Sequence, residues 1–348
     1  MWKCETFAFC YTDRRKYMMR NYRLAALGLG TMLLMAGCAG GKATAETTLA
    51  ETTVAETAAE TLAQVEIMDE AVPLYSKPSG AKALVPTASG ATVYQNGKVT
   101  LDASNASQGY VMVKYTGSKA KIKVQVTKSG KETYTYNLNS DNVYEVFPLS
   151  EGSGTYSIKV FENISGNQYS QSMSQDINVS LTNDFLPFLY PNQYVNFSAG
   201  SAAVQKGVEV AASATDQLTV VTNIYNYVVQ NFTYDTAKAN SVASGYLPNV
   251  DQVLAQKTGI CFDYAAVMAA MLRTQDIPTK LVVGYTGSVY HAWINVYLDN
   301  MGWVDNIIYF DGQNWKLMDP TFASSGKESQ EIMDYINNPG NYQAKYAY

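Results

Sequence analysis

Two stretches of different periodicity place this 348-residue chain in the α+β class, behind an all-β segment. From about residue 85 to 183 apolar residues recur at every second position, as half-buried strands require. From about 184 onward they recur first at helical spacing and then at strand spacing, an α+β order. Composition agrees. Apolar residues make up 47% and charged residues 16%, enough for a sizeable core and more than one domain.

The all-β segment is read from four runs. "KIKVQV" puts Ile122, Val124 and Val126 on one face and Lys121, Lys123 and Gln125 on the other. "YTYNL" aligns Tyr134, Tyr136 and Leu138, "YSIKV" aligns Tyr156, Ile158 and Val160, and "INVSL" aligns Ile177, Val179 and Leu181. Turn formers punctuate the segment at Asn96-Gly97, Ser129-Gly130, Glu151-Gly152 and Ser165-Gly166. Short strands with regular turns predict an Ig-like antiparallel β-sandwich over 85–183. It holds no His, no Cys and no clustered carboxylates, so it reads as a spacer or binding module.

Helices follow. "DQLTVVTNIYNYVVQNF" carries Leu218, Val221, Tyr225, Val228 and Phe232 on one stripe. "NVDQVLAQ" predicts a shorter helix capped by Asn249. A third helix begins at Cys261, carries Tyr264, Met268 and Leu272 at four-residue spacing, and is closed by Pro278. Gly259 ahead of it is expected to supply a positive φ. Then come the strands "KLVVGY", "SVYHAWINVYL" and "NWKLMDP". The tail, 326–348, is expected to add a short helix and a final strand.

The N-terminus predicts export. Arg20 and Arg23 precede an apolar run, Leu24 to Met35, that ends "LLMAGC" at Cys38. A basic start, a short apolar run and small residues form a signal peptide, and the run is shorter than the ~20 residues of a membrane span. Small residues directly before a cysteine resemble a bacterial lipobox. That resemblance implies cleavage before Cys38, lipid attachment to its sulfur, and an extracytoplasmic protein anchored to the bacterial membrane. Residues 1–38 are thus the leader, and Met18 or Met19 is the start that fits it best. Residues 39–84 read as a disordered Ala/Thr/Glu-rich linker without the large apolar side chains a core needs.

Charge and cysteines narrow the function. Residues 1–37 hold six of the 25 basic and two of the 30 acidic side chains, so the remainder carries 19 and 28, a net of −9. That excludes a basic footprint for nucleic acid. With Cys4 and Cys10 in or before the leader and Cys38 lipidated, Cys261 is the single free thiol of the exported chain. It opens a helix, where the backbone field favours thiolate over thiol.

The chain has one histidine, His291. In "VYHAWINVYL", Tyr290, Ala292, Ile294, Val296 and Leu298 form an apolar face, so His291, Trp293, Asn295 and Tyr297 point away from the main core. In "NWKLMDPTF", Asp319 ends a strand at Pro320, although an Asp before Pro is also a common turn former. Together Cys261, His291 and Asp319 supply a nucleophile, a base and an orienting carboxylate. One Cys and one His fall short of a zinc set, and no EF-hand loop is present, so no metal or other cofactor is expected. Asp263 reads as a first-turn helix carboxylate, and Trp293, Trp303 and Trp315 as packing residues around the site.

"GICFDYAAVMAAMLRTQDIPTKLVVGY", then "HAW", "GW" at Gly302-Trp303 and "DPTF", with an upstream helix ending "NFTYD", resemble the core of the transglutaminase-like superfamily. The resemblance covers roughly 210 to 325. It implies a papain-like α+β fold over 184–325, with Cys261 as nucleophile, His291 as base and Asp319 as orienter. For the oxyanion it leaves Tyr234, Gln256, Trp293 and the backbone N–H of Cys261. It implies a protease or amidase working through a thioester on a protein or peptide, cell-wall peptide included. The alternatives are a glutamine cross-linking transglutaminase and a non-catalytic wall-binding or adhesion protein.

Overall fold

Alternation of buried and open side chains builds the first half of the computed structural model, which describes residues 75–299, 301–305, 308–310, 315–317 and 339–348. The leader, Cys38, most of the linker and Asp319 lie outside the described residues. Residues 75–348 form one compact unit. Its first eight strands are β1 (Val93–Asn96), β2 (Val99–Asp102), β3 (Tyr110–Tyr115), β4 (Ile122–Lys128), β5 (Thr133–Leu138), β6 (Glu145–Pro148), β7 (Gly154–Ser165) and β8 (Gln168–Val179). They make two four-stranded antiparallel sheets, ordered β1-β2-β3-β6 and β5-β4-β7-β8.

The period-two reading holds for three of the quoted runs and for Ile177 and Val179 of the fourth, whose Leu181 lies past the end of β8 and is half-buried. Ile122, Val124 and Val126 are buried, with Tyr134, Tyr136 and Leu138 paired beside them from β5 and Tyr156, Ile158 and Val160 from β7. The two sheets meet through one hydrophobic cluster, in which the Tyr136 ring of β5 stands edge-on to Phe147 of β6 at 5.1 Å. Strands β1, β2, β3 and β6 were not among the runs read from the sequence. β3 buries both faces, so its pattern does not alternate.

The second half contains α1 (Ala202–Val210), α2 (Gln217–Asn231), β9 (Thr233–Tyr234), α3 (Thr236–Ser241), α4 (Val250–Gln256), β10 (Thr258–Gly259) and α5 (Cys261–Arg273). After these come β11 (Thr279–Thr286), β12 (Val289–Leu298), β13 (Gly302–Val304), β14 (Ile308–Phe310), β15 (Trp315–Leu317) and β16 (Tyr342–Ala347). Side-chain caps start three of the helices. Asp216 accepts from the Thr219 N–H at 2.8 Å, Asp235 from Lys238 at 2.8 Å and Asn249 from Gln252 at 3.0 Å. Such caps contribute about 1 kcal/mol each. The buried stripe of α2 runs through Val220, Val221, Ile224, Tyr225 and Val228, while Leu218 is only half-buried. The stripe is therefore rotated slightly from the expected one.

Every residue of α5 is buried, including Asp263 and Arg273. A helix buried on all sides belongs at the centre of a fold. α5 packs against α1, α2 and α4 and against the strands β11 and β12. Those strands belong to an antiparallel sheet ordered β13-β12-β11-β16, in which β16 lies along β11 from Thr286↔Tyr342 to Val282↔Ala347. The tail thus contributes the expected final strand; its expected helix falls outside the described residues.

A buried guanidinium gathers the second half, and an aromatic group beside it ties the two halves together. Arg273, 1% exposed at the end of α5, donates to the carbonyls of Tyr190 (2.6 Å), Thr279 (2.8 and 3.0 Å) and Tyr348 (2.6 Å). Burial pulls its guanidinium down to about 9, which leaves it cationic at neutral pH. A group of aromatic rings runs alongside. Tyr348 stacks obliquely on Tyr194 at 4.2 Å and edge-on against Tyr134 of β5 at 5.5 Å, and Tyr194 meets Phe262 of α5 at 5.6 Å.

Candidate active site

Cys261 is the first residue of α5 and is 4% exposed. The turn that carries it is strapped on both sides. Behind it, β10 pairs in parallel with β9, which sets Gly259 opposite Tyr234. The Thr233 N–H donates to the Lys257 carbonyl at 2.9 Å and the Asp235 N–H to the Gly259 carbonyl at 2.8 Å. Ahead of it, Asp263 reaches back one turn and accepts the Ile260 N–H at 2.8 Å. Ile260 has no side-chain oxygen to cap the helix, so the reciprocal bond from Asp263 performs that half of a capping box alone.

Asp263 is fully buried and is more than a cap. Lys238 Nζ of α3 donates to its Oδ2 at 2.6 Å, and the Tyr246 hydroxyl donates to its Oδ1 at 2.5 Å. Lys238 Nζ also lies 2.7 Å from the Tyr246 oxygen and 4.3 Å from the centre of its ring. Burial, and then the bond to Asp263, pushes the Tyr246 hydroxyl well above the usual tyrosine range. First-turn carboxylate was the right reading of Asp263, but nothing in the sequence announced Lys238 or Tyr246 as its partners.

Gly259 corrects an expectation. Its φ is not positive; the left-handed residue before the helix is Lys257, at φ 51°. The glycine is required by close approach instead. A Cβ at 259 would stand 2.6 Å from the Asp263 Cβ and 2.8 Å from its Oδ2.

His291 lies on β12, opposite Gly284 of β11. The alternating pattern predicted that its face would point away from the core. That face is covered too: His291 is 5% exposed, Trp293 3%, and Asn295 is buried as well. Aromatic rings supply the cover. The His291 ring lies at 26° to Trp293 with centroids 6.1 Å apart, and Tyr342 of β16 meets both, 6.5 Å from His291 and 5.4 Å from Trp293. Further along, Tyr297 and Trp303 pack with Phe185, and Lys280 Nζ sits 3.7 Å from the Trp303 ring centre. The strand pattern showed one apolar face, and partners from distant segments cover the other. Gly284 is the gap that lets this happen, since a Cβ there would meet the Gln343 carbonyl at 2.0 Å and the Trp293 ring at 2.9 Å.

The structure therefore sets Cys261 and His291 on two buried elements that pack directly on each other, α5 and β12. Asp319 lies outside the described residues, and the strand before it, β15, pairs with β14. Tyr234 is half-buried in the pair that straps Gly259. Gln256 ends α4 and is exposed. Trp293 keeps a buried ring N–H with no acceptor among the described residues. Among the described residues no three His, Cys, Asp or Glu side chains converge as a metal set.

A buried helix that starts with cysteine is thus laid on an antiparallel sheet that carries histidine. Residues 205–306 match the sequence model of the transglutaminase-like superfamily, and the chain carries a transglutaminase-like core there. The matched stretch holds both Cys261 and His291. The chain is 22% identical over 196 residues to the uncharacterized protein YebA of Bacillus subtilis, covering 50% of this chain and 26% of the relative. It is 27% identical over 227 residues to the UPF0252 protein MJ1282 of Methanocaldococcus jannaschii, covering 58% and 63%. It thus spans less than two thirds of either relative. A solved structure of a provisionally assigned cysteine protease from Cytophaga hutchinsonii is 15% identical, with a TM-score of 0.31, over 66% of this chain and 68% of that one. The family match is confined to residues 205–306, the stretch that holds α5 and the β11–β12 pair.

Proposed function

We propose that this chain is an extracytoplasmic cysteine acyl-transfer enzyme that cleaves amide or peptide bonds. In this reading the Cys261 sulfur attacks the amide carbonyl, the C–N bond breaks, and the amine leaves with a proton from His291. A thioester remains, and water releases it as a carboxylate. Asp319 accepts a hydrogen bond from the second ring nitrogen and holds the imidazole in the working tautomer. The backbone N–H of Cys261, at a helix start, and the unpartnered ring N–H of Trp293 are the donors best suited to the oxyanion. One observation carries the reading: a cysteine on the first turn of the central buried helix, which packs on the strand that bears the chain's single histidine.

Incubation of the full chain with dye-labelled casein, with and without a primary amine such as cadaverine, tests it. Release of soluble dye that disappears in Cys261→Ala supports hydrolysis. Incorporation of the amine without cleavage moves the assignment to transglutaminase. No product in either arm, with wild type and variant alike binding cell wall, moves it to the adhesion protein. The leader adds that the enzyme is held at the membrane by a lipid on Cys38, so a palmitate analogue should label the wild type and not Cys38→Ala.

A further inference from the structure

We propose that Lys238 and Tyr246 are positioning residues for Cys261, which hold its turn through Asp263 and neutralise that carboxylate behind the thiol. The inference rests on the reading of Cys261 as nucleophile. Asp263 lies two residues beyond the thiol, with no exposed surface. A bare buried carboxylate so close would oppose a thiolate, because like charges in a poorly solvated place disfavour each other. Yet the turn needs a carboxylate: it accepts the Ile260 N–H at 2.8 Å, and Gly259 leaves room for it. The fold resolves the conflict with a cation and a hydroxyl from outside the helix. Lys238 takes one carboxylate oxygen and Tyr246 the other, and the two also bond each other.

The arrangement is too closed for a surface ion pair. Lys238 is about one quarter exposed, with its head group against the Tyr246 ring. Other titratable groups on the elements packed around α5 are Tyr264 of α5 itself, Tyr234 of β9, Asp235 at the start of α3, Lys257 ahead of β10, Asp251 of α4, Lys206 and Glu209 of α1, Tyr225 and Tyr227 of α2, Lys280 and Tyr285 of β11, and His291, Tyr290 and Tyr297 of β12. Among the described residues, Lys238 is the salt-bridge partner of Asp263, at 2.6 Å.

The test is the rate at which iodoacetamide labels Cys261 in the full chain, read on the tryptic peptide between Lys257 and Arg273, at about pH 6 and about pH 9. Lys238→Met should slow labelling at the lower pH by about tenfold or more and at the higher pH by less than about threefold. Lys238→Met combined with Asp263→Asn should return to within about threefold of wild type, since removing both charges restores neutrality. A loss of packing alone would slow both pH values and would not be rescued. The proposal is overturned if Lys238→Met labels like wild type, or if the double variant is as slow as the single. Should Lys238→Met fail to fold, Lys238→Arg and Tyr246→Phe decide. Arginine should keep the rate, phenylalanine should slow it selectively at the lower pH, and an unchanged Tyr246→Phe overturns the proposal. His291→Ala separates this inference from its foundation. If it leaves the low-pH rate untouched, the nucleophile reading itself falls. If it slows that rate while Lys238→Met does not, only the positioning role falls.

Discussion

The two halves of the described chain differ in what they bury. Among the eleven buried polar or charged residues described, Asp102 alone belongs to the eight-stranded half, and it staples a turn by accepting from the N–H groups of Gly90 and Ser104. The other ten, from Asn192 to Asn295, lie in the helix-and-sheet half. Burying a polar group costs free energy unless it is hydrogen-bonded. A region that does so repeatedly must supply partners for each such group, as the Arg273 and Asp263 contacts do here. The contrast puts all but one of these buried polar groups in the half that also carries Cys261 and His291.

The contrast can be broken in several places, starting with the largest effect. Cys261→Ala should abolish amide cleavage, a loss of about four orders of magnitude or more. Its unfolding midpoint in urea should move little, because a thiol and a methyl pack alike. If activity survives, the buried polar residues have no catalytic purpose.

Arg273→Met comes next. It removes donors from two buried carbonyls and one part-buried one, and should cost about 3–5 kcal/mol by urea denaturation. A neutral outcome would mean that the second half tolerates polar loss as well as the first.

Gly259→Ala and Gly284→Ala should each cost about 2 kcal/mol, since backbone or a buried carboxylate must shift to admit the methyl group. Val124→Ala in β4 should cost a similar ~2 kcal/mol through its cavity, and Thr135→Ala on the open side of β5 less than about 0.5 kcal/mol. Equal costs for the last two would deny the one-sided packing of the first half.

Glu145, the first residue of β6, gives the smallest effect. Burial raises its carboxyl above the usual range, so the folded chain holds that proton more tightly than the unfolded one. The stability it adds is present in acid and is lost as pH rises through the folded value. Glu145→Gln should therefore flatten the fall in stability between acid and neutral pH, measured by thermal unfolding across that range.

Legibility followed the same division. In β4, β5, β7 and β8 one face meets the core, and the period of the sequence reports that directly. In β12 both faces are covered, so an apolar–polar alternation that looked like inside and outside was inside on both counts. The cover arrives from residues 185, 303 and 342, which no local pattern links to His291. Cys261, His291 and the cap at Asn249 were readable because helix starts and rare residue types are local signals. Lys238 and Tyr246 were not, because a lysine and a tyrosine become partners of Asp263 only when the chain has folded. The glycine before the helix was noticed for the wrong reason: its missing Cβ serves a neighbour's side chain and not its own backbone angles.

The strand contributed by Tyr342–Ala347 has a consequence for how this molecule is made. It borders β11, which leaves the ribosome about sixty residues earlier, and it brings Tyr342 against both His291 and Trp293. During synthesis the histidine strand therefore emerges with one wall of its surroundings still unmade. The sheet can close only after residue 347 has been added, and a chain stopped at 341 would keep Cys261 and His291 and lack that wall.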